Sequence, residues 1–302
     1  MKAIVLHEYG GPEKLKYEDV ADPVPGEGEV VVRLAATSVN PIDFKMRSGA
    51  AAARYPLEFP AILGRDIAGI VRASGPGVTG FAPGDKVIAF GTKSYAELAL
   101  VNAAELVHLP EGMDVVEAAA LPLVTLTGEQ LISRGTKIAR GQTVLVTGAL
   151  GSVGRSAVFA AKKAGAIVIA GVRKSQLQDA AGLHADAVVA LDDDDAMAKL
   201  GFVDAVADTV NGETAQQLMG KVKPGGVFAS VLGEPANAKL HPTVRVEAVV
   251  CVADAAMLRT MAEAIAAGRF TIPISHMMPL EEAGEAQAIA EKGAGGKVLL
   301  LI

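Results

Sequence analysis

The chain has 302 residues, room for about two domains of ~150 residues each, and its 51% hydrophobic content supports a buried core rather than disorder. Lys and Arg number 28 against 34 Asp and Glu, a net charge of −6, and aromatics are only 4%, which argues against a nucleic-acid binder. The single cysteine, Cys251, excludes a disulfide framework and a multi-thiolate zinc centre.

The chain opens on MKAIVLHEYGG, whose apolar run is too short for a secretory leader. No apolar stretch reaches the ~18–20 residues of a bilayer span, so a soluble cytoplasmic protein without membrane contact is expected. MKAIVL, EVVVRLA, AGIVRAS, DKVIAF and YAELALV read as strands, separated by turn clusters such as PVPGEGE and GPGVTGFAPGD. Ten of the fifteen prolines lie at or before Pro122 and the next is Pro224. Proline suits turns and sheet edges and breaks helix interiors, so residues 1–122 are expected to form a strand-rich domain.

From about Leu121 the texture changes to short apolar runs alternating with alanine-rich helices. TVLVTG reads as a buried strand, and GSVGRSAVFAAKKAG as a helix with Val153, Ala157, Ala160 and Ala164 on one face. AIVIAG, DAVVAL, DAVADTV, GVFASVL and RVEAVVCVAD follow as strands. Six strands separated mostly by helices predict an α/β, doubly wound parallel sheet over 123–254. Cys251 falls within the last of these runs and is expected to be a buried thiol. The Asp192–Asp195 run fits a solvated helix start, and Ala50–Ala53 a loop. The stretch DAAMLRTMAEAIAAG to GGKVLLLI, about 255–302, reads as helix–helix–strand returning to the first domain.

The strand TVLVTG runs directly into Gly148-Ala149-Leu150-Gly151-Ser152-Val153-Gly154 and then a helix. Glycines there allow a tight turn and close approach of backbone to a pyrophosphate, and the helix start offers free N–H groups and a positive dipole end. The spacing is GxxGxxG. A GK[ST] phosphate loop is excluded because Arg155 follows Gly154, and a TGxxxGxG pattern with YxxxK fails because no tyrosine has Lys four residues on.

A glycine turn in the middle of the chain, behind a strand-rich domain, resembles the medium-chain dehydrogenase/reductase superfamily, and within it the zinc-free quinone oxidoreductase branch that includes zeta-crystallin. The resemblance rests on SVNPIDFKMRSG (38–49), FPAILGRDIAG (59–69), GVTGFAPGDKVIAF (77–90), AAALPLVTLTG (118–128), VTGALGSVG (146–154) and GGKVLLLI. It implies a Rossmann sheet beside a GroES-like catalytic domain, and a homodimer. Where zinc members carry their metal ligands, this chain has Asn40, Arg65-Asp66 and Leu123, so no metal is expected.

The resemblance also implies that AIVIAG ends beside the adenosine ribose. The window VIAGVRKS has no carboxylate for a 2′-hydroxyl but has Arg173, Lys174 and Ser175, which suit a 2′-phosphate; NADPH is the expected cofactor. Asn40, Asp43 and Lys45 of NPIDFK would line the nicotinamide side of the reaction site, with Asp43 orienting Lys45, Tyr55 near the substrate mouth and Thr127 touching the nicotinamide. Since ligands bind beyond the carboxyl ends of parallel strands, Val210, Leu232, Gly233, Cys251 and Val252 are further expected contacts. Without a Lewis acid, acceptors that are already electrophilic suit such a site, namely a quinone or, alternatively, an enone or alkenal. A noncatalytic NADPH-binding protein (a sensor, a crystallin-like protein or an RNA binder) is the reading from another class.

Overall fold

In the computed structural model, which describes residues 1–302, the chain divides into Met1–Leu123 with Ala253–Ile302, and Val124–Val252. No helix is long and apolar enough to cross a membrane.

The unit Val124–Val252 is built on a six-stranded, all-parallel sheet. Across it lie Ala187–Ala190, Ile167–Val172, Thr143–Val146, Val203–Asp208, Val222–Ser230 and Arg245–Ala248. Counted from Thr143–Val146, this is the 3-2-1-4-5-6 order of a doubly wound nucleotide-binding sheet. Alternation along the strand assigns its faces: Val144 and Val146 join one apolar cluster and Leu145 joins the other. Each such fully buried aliphatic side chain contributes about 1.5–3 kcal/mol. The helix Ser152–Lys163 packs on the first face through Ala157, Val158, Ala160 and Ala161, whereas Ala164 is exposed beyond its end. The last strand ends at Ala248, so Cys251 lies past it and is half-buried, not a buried strand thiol.

In the other unit a seven-stranded sheet runs Ile274–Pro279, Lys297–Leu301, Glu29–Ser38, Asp66–Ser74, Lys86–Phe90 and Val107–His108, with Leu98–Asn102 also paired to Glu29–Ser38. Leu15–Asp19, Lys2–Leu6 and Ala61–Ile62 make a second, three-stranded sheet. The C-terminal stretch is helix–strand–helix–strand, Ala255–Ala266, Ile274–Pro279, Ala283–Lys292 and Lys297–Leu301, one strand more than its pattern suggests. Strand Lys297–Leu301 is antiparallel to Glu29–Ser38, with Leu299 opposite Ser38. That register brings Lys297 to the start of the short helix Pro41–Arg47.

Candidate functional site

In the Val124–Val252 unit, the turn after Thr143–Val146 leads into helix Ser152–Lys163. Gly148 has φ +56°, and a Cβ there would stand 2.6 Å from Thr209 Oγ1. At Gly154 a Cβ would stand 2.1 Å from the Gly148 carbonyl oxygen, so the helix can approach the strand this closely only through glycine. Gly151 caps the helix without a side chain, which leaves the N–H groups of Ser152, Val153 and Gly154 without a side-chain acceptor at the positive end of the dipole. Two neighbours do not offer donors. Ala149 is fully buried and gives its N–H to Gly171 O at 3.1 Å, and Gly151 gives its own to Gly148 O at 2.9 Å. The Arg155 Nε bonds Leu150 O at 3.0 Å and braces the turn; partial burial lowers its pKa. A glycine turn of this shape fits a dinucleotide pyrophosphate.

Asp208, fully buried at the end of Val203–Asp208, ties the neighbouring strand ends together, a role the sequence reading missed. It accepts from Thr147 Oγ1 at 2.9 Å and Ser230 Oγ at 2.7 Å, and from the N–H groups of Val210 and Asn211. Its signal in the sequence is a carboxylate closing an apolar strand. Beyond these ends Val210, Leu232 and Val252 are 48%, 40% and 46% exposed, apolar side chains available to a ligand at the carboxyl ends of the strands. Gly233 follows with φ +103°. Buried Gln130 clamps Val252 through both backbone groups, at 2.8 and 3.0 Å. Thr127 is nearly buried in helix Pro122–Gln130, and the next residue, Gly128, packs so closely on helix Ser152–Lys163 that a Cβ would be 2.5 Å from Val153 O.

After strand Ile167–Val172 come Arg173, Lys174 and Ser175, all exposed. Arg173 gives its backbone N–H to Gln176 Oε1 at 3.1 Å, and its guanidinium has no acidic partner. Lys174 differs from the sequence expectation of a free cation: its ammonium pairs with Asp193 Oδ2 at 2.6 Å, and its backbone N–H donates to Asp192 Oδ1 at 2.6 Å.

In the other unit, Asn40 precedes helix Pro41–Arg47 and is buried, as are Asp43 and Asp66. Its side chain is used at both ends: Nδ2 donates to Asp66 Oδ2 at 2.7 Å, and Oδ1 accepts from Lys297 Nζ at 2.7 Å. Lys297 also donates to Val39 O at 3.1 Å and stands 3.6 Å from Asp66 Oδ2. Asp66 further accepts from Ser38 Oγ and from the Leu123 N–H at 2.7 Å. Asp43 does not orient Lys45. Its Oδ2 accepts from the Asn40 N–H at 2.9 Å and the Tyr95 hydroxyl at 3.0 Å, while Lys45, two positions on along the helix, is exposed. Asp43 Oδ1 has no hydrogen-bond partner. Tyr95 in turn accepts from Gln287 Nε2 at 3.4 Å, and Gln287 Oε1 accepts from Arg47 at 2.7 Å.

Burial pushes the Asp43 carboxyl up to about 7; the Asn40 N–H opposes this and the negative charge of Asp66 adds to it. Burial also raises Tyr95 well above its usual value, and burial lowers Lys297 against the pull of Asp66 and Asp43. Two carboxyl groups and one lysine amine thus share a dry site. The roles of Lys297, Asp66 and Tyr95 were missed in the sequence, where Asp66 stood only at a position answering a zinc ligand and Lys297 only as a lysine heading the apolar strand KVLLL. Tyr55 is half-buried, its ring 5.8 Å from both the Arg54 and Arg65 guanidinium carbons.

At the positions where zinc members carry their metal ligands, the side chains of this chain are engaged otherwise. Asn40 accepts from the Lys297 ammonium, Asp66 stands 3.6 Å from it, Leu123 gives its N–H to Asp66, and no three His, Cys, Asp or Glu side chains come together.

Residues 26–111 match the family model of the alcohol dehydrogenase GroES-like domain, and 183–300 that of the zinc-binding dehydrogenase. A quinone oxidoreductase of Rattus norvegicus is 39% identical over 157 residues, 51% of this chain and 47% of that protein. The chain spans 47% and 60% of the lengths of the first curated relatives it matches. Among solved structures, the quinone oxidoreductase of Coxiella burnetii superposes with a TM-score of 0.90 at 27% identity, covering 100% of this chain and 99% of that one. The Escherichia coli quinone oxidoreductase complexed with NADPH superposes at 0.87 and 25% identity, covering both chains fully. The sheet order, the glycine turn and these likenesses agree: the chain belongs to the medium-chain dehydrogenase/reductase superfamily and is quinone oxidoreductase-like within it.

Proposed function

We propose that the protein is an NADPH-dependent, metal-independent oxidoreductase that reduces quinones. The observation that carries this reading is the glycine turn, where Gly148 and Gly154 allow strand, turn and helix to pack closely and leave an uncapped helix start. A bound nicotinamide supplies a hydride or electrons to the acceptor. The chain's own residues bind and orient. The Ser152, Val153 and Gly154 N–H groups hold the pyrophosphate, and Arg173 with Ser175 holds the 2′-phosphate. Thr127, Val210, Leu232, Gly233, Cys251 and Val252 offer backbone and apolar contact to the rest of the cofactor. Lys45, exposed, serves the acceptor oxygen, stabilising the developing anion or supplying its proton, whereas Asn40, buried with both ends of its amide engaged, acts by positioning the start of helix Pro41–Arg47. Asp43 is a positioning residue that acts by holding the Asn40 backbone, and Tyr55 flanks the acceptor. The open edge strand Arg245–Ala248 favours a homodimer, and we place the protein in the cytoplasm.

Steady-state turnover of a 1,4-quinone beside an alkenal, each with NADPH and with NADH, tests the reading. The quinone is expected to give the higher kcat/KM, and NADPH the preferred cofactor; an alkenal turned over far faster would make the protein an enone reductase. Arg173→Ala is expected to raise the KM for NADPH by about tenfold, since one charge-assisted contact contributes ~1.5 kcal/mol or more, and to leave the KM for NADH within about twofold. An unchanged KM for NADPH would return Arg173 to the solvated surface.

A further inference from the structure

We infer that Asp193 sets cofactor specificity by holding Lys174 away from the adenosine 2′-phosphate, so that the chain tells NADPH from NADH with one cation instead of two. The inference rests on the cofactor reading above.

Strands Ile167–Val172 and Ala187–Ala190 are parallel neighbours, with Val172 opposite Ala190. Their carboxyl ends therefore emerge side by side, and the turn carrying Arg173 and Lys174 meets the turn carrying Asp192 and Asp193. Leu191 N–H donates to Val172 O at 2.9 Å and fixes the two turns together. Asp192 then accepts from the Lys174 backbone, and Asp193 takes the Lys174 ammonium at 2.6 Å. The Asp193 carboxylate is not free to swing away. Its other oxygen caps helix Asp194–Lys199 by accepting from the Ala196 N–H at 3.0 Å, and its side chain is only 20% exposed.

Both partners shift as an ion pair should: the Asp193 hydrogen bond raises Lys174, and the Lys174 hydrogen bond lowers Asp193. The two neighbouring cations thus differ in kind. Arg173 has no acidic partner and can close on a phosphate, whereas Lys174 must leave Asp193 to do so, and Asp192 and Asp193 repel the incoming dianion besides. A window that reads as doubly cationic in sequence is nearly neutral in space. The Lys174 side of the pair is 68% exposed, so solvent screens the pair and its effect on affinity is a modest factor.

The test is calorimetric titration of NADPH and of NADH into the native protein, Asp193→Ser, Lys174→Ala and the double variant. Serine removes the charge and keeps a helix cap; Asp193→Asn serves the same purpose if the serine variant folds poorly. Removing Asp193 is expected to tighten NADPH by about three- to tenfold and to leave NADH within about twofold, which also reports an intact site. Lys174→Ala alone is expected to change NADPH affinity by less than about twofold, and to abolish most of the gain when added to Asp193→Ser. A NADPH-to-NADH affinity ratio unmoved by either Asp193 variant overturns the inference, as does a Lys174→Ala loss as large as that of Arg173→Ala. Native protein that binds neither dinucleotide overturns the cofactor reading itself, and the inference with it.

Discussion

Lys297→Met is expected to cost about 3–5 kcal/mol of folding stability, the usual penalty for removing one partner of a buried ion pair. Methionine nearly fills the lysine volume, so packing alone would cost little. The loss arises from what stays behind. Asn40 Oδ1 and Val39 O lose their donor, and the Asp66 carboxylate, fully buried, loses its only counter-charge at 3.6 Å. Asp66 keeps its bonds from Ser38, Asn40 and the Leu123 N–H, but dipoles replace an opposite charge incompletely in a dry interior. Adding Asp66→Asn removes the orphaned charge, so the double variant is expected to recover more than about 1 kcal/mol relative to Lys297→Met. Urea midpoints of the native protein, Lys297→Met and the double variant at one pH check this. A single variant within about 1 kcal/mol of the native protein, or a double variant no better than the single, would contradict an ion pair that sustains this core.

The second large effect lies in pH. The Asp43 carboxyl is about 7 in the folded protein against 3.8 for a free side chain. Between those values the folded chain holds a proton that the unfolded chain has released. Stability from this group is therefore full below about pH 4, falls as pH rises toward 7, and is at its lowest above 7. The difference between those values corresponds to roughly 4 kcal/mol at most. The groups that face Asp43 are Asp66, whose charge resists its ionisation, and Lys297, Tyr95 and the Asn40 N–H, which favour it. Asp43→Asn keeps an oxygen for Tyr95 and for the Asn40 N–H but cannot ionise. Its stability is expected to stay nearly level from pH 5 to 8 while that of the native protein declines, so the gap between them moves in favour of the variant as pH rises. Urea unfolding of both proteins across that range measures it; parallel curves would show that Asp43 does not titrate there.

How much of this was legible in the sequence follows from where each signal resides. Strands Thr143–Val146 and Ile167–Val172 are buried on both faces, so they appear as continuous apolar runs, and the glycine turn between strand and helix needs glycine for steric reasons. Leu15–Asp19, LKYED, and Ile274–Pro279, ISHMMP, escape notice because they lie at sheet edges, mostly exposed, and need no apolar run. The reverse error occurs at RVEAVVCVAD, where apolar character continues past Ala248 but pairing does not. Single residues fared less evenly. Asn40 and Asp43 stood out in NPIDFK, but their partner Lys297 is 257 positions from Asn40 and only the antiparallel register unites them. Likewise the window VIAGVRKS is basic as written, and the carboxylates that answer it come from the turn after the neighbouring strand of the sheet. Local chemistry was readable, and charge balance across strands was not.

NADPH oxidation by a 1,4-quinone, with protein freed of metal by exhaustive chelation and dialysis, tests metal-independent quinone reduction. Saturable turnover well above the uncatalysed rate and unchanged by chelation is expected, since Asn40 and Asp66 are engaged with one another and with the Lys297 ammonium. NADPH binding without turnover of any quinone or enone, or activity that vanishes with stoichiometric zinc and returns on its addition, would contradict it.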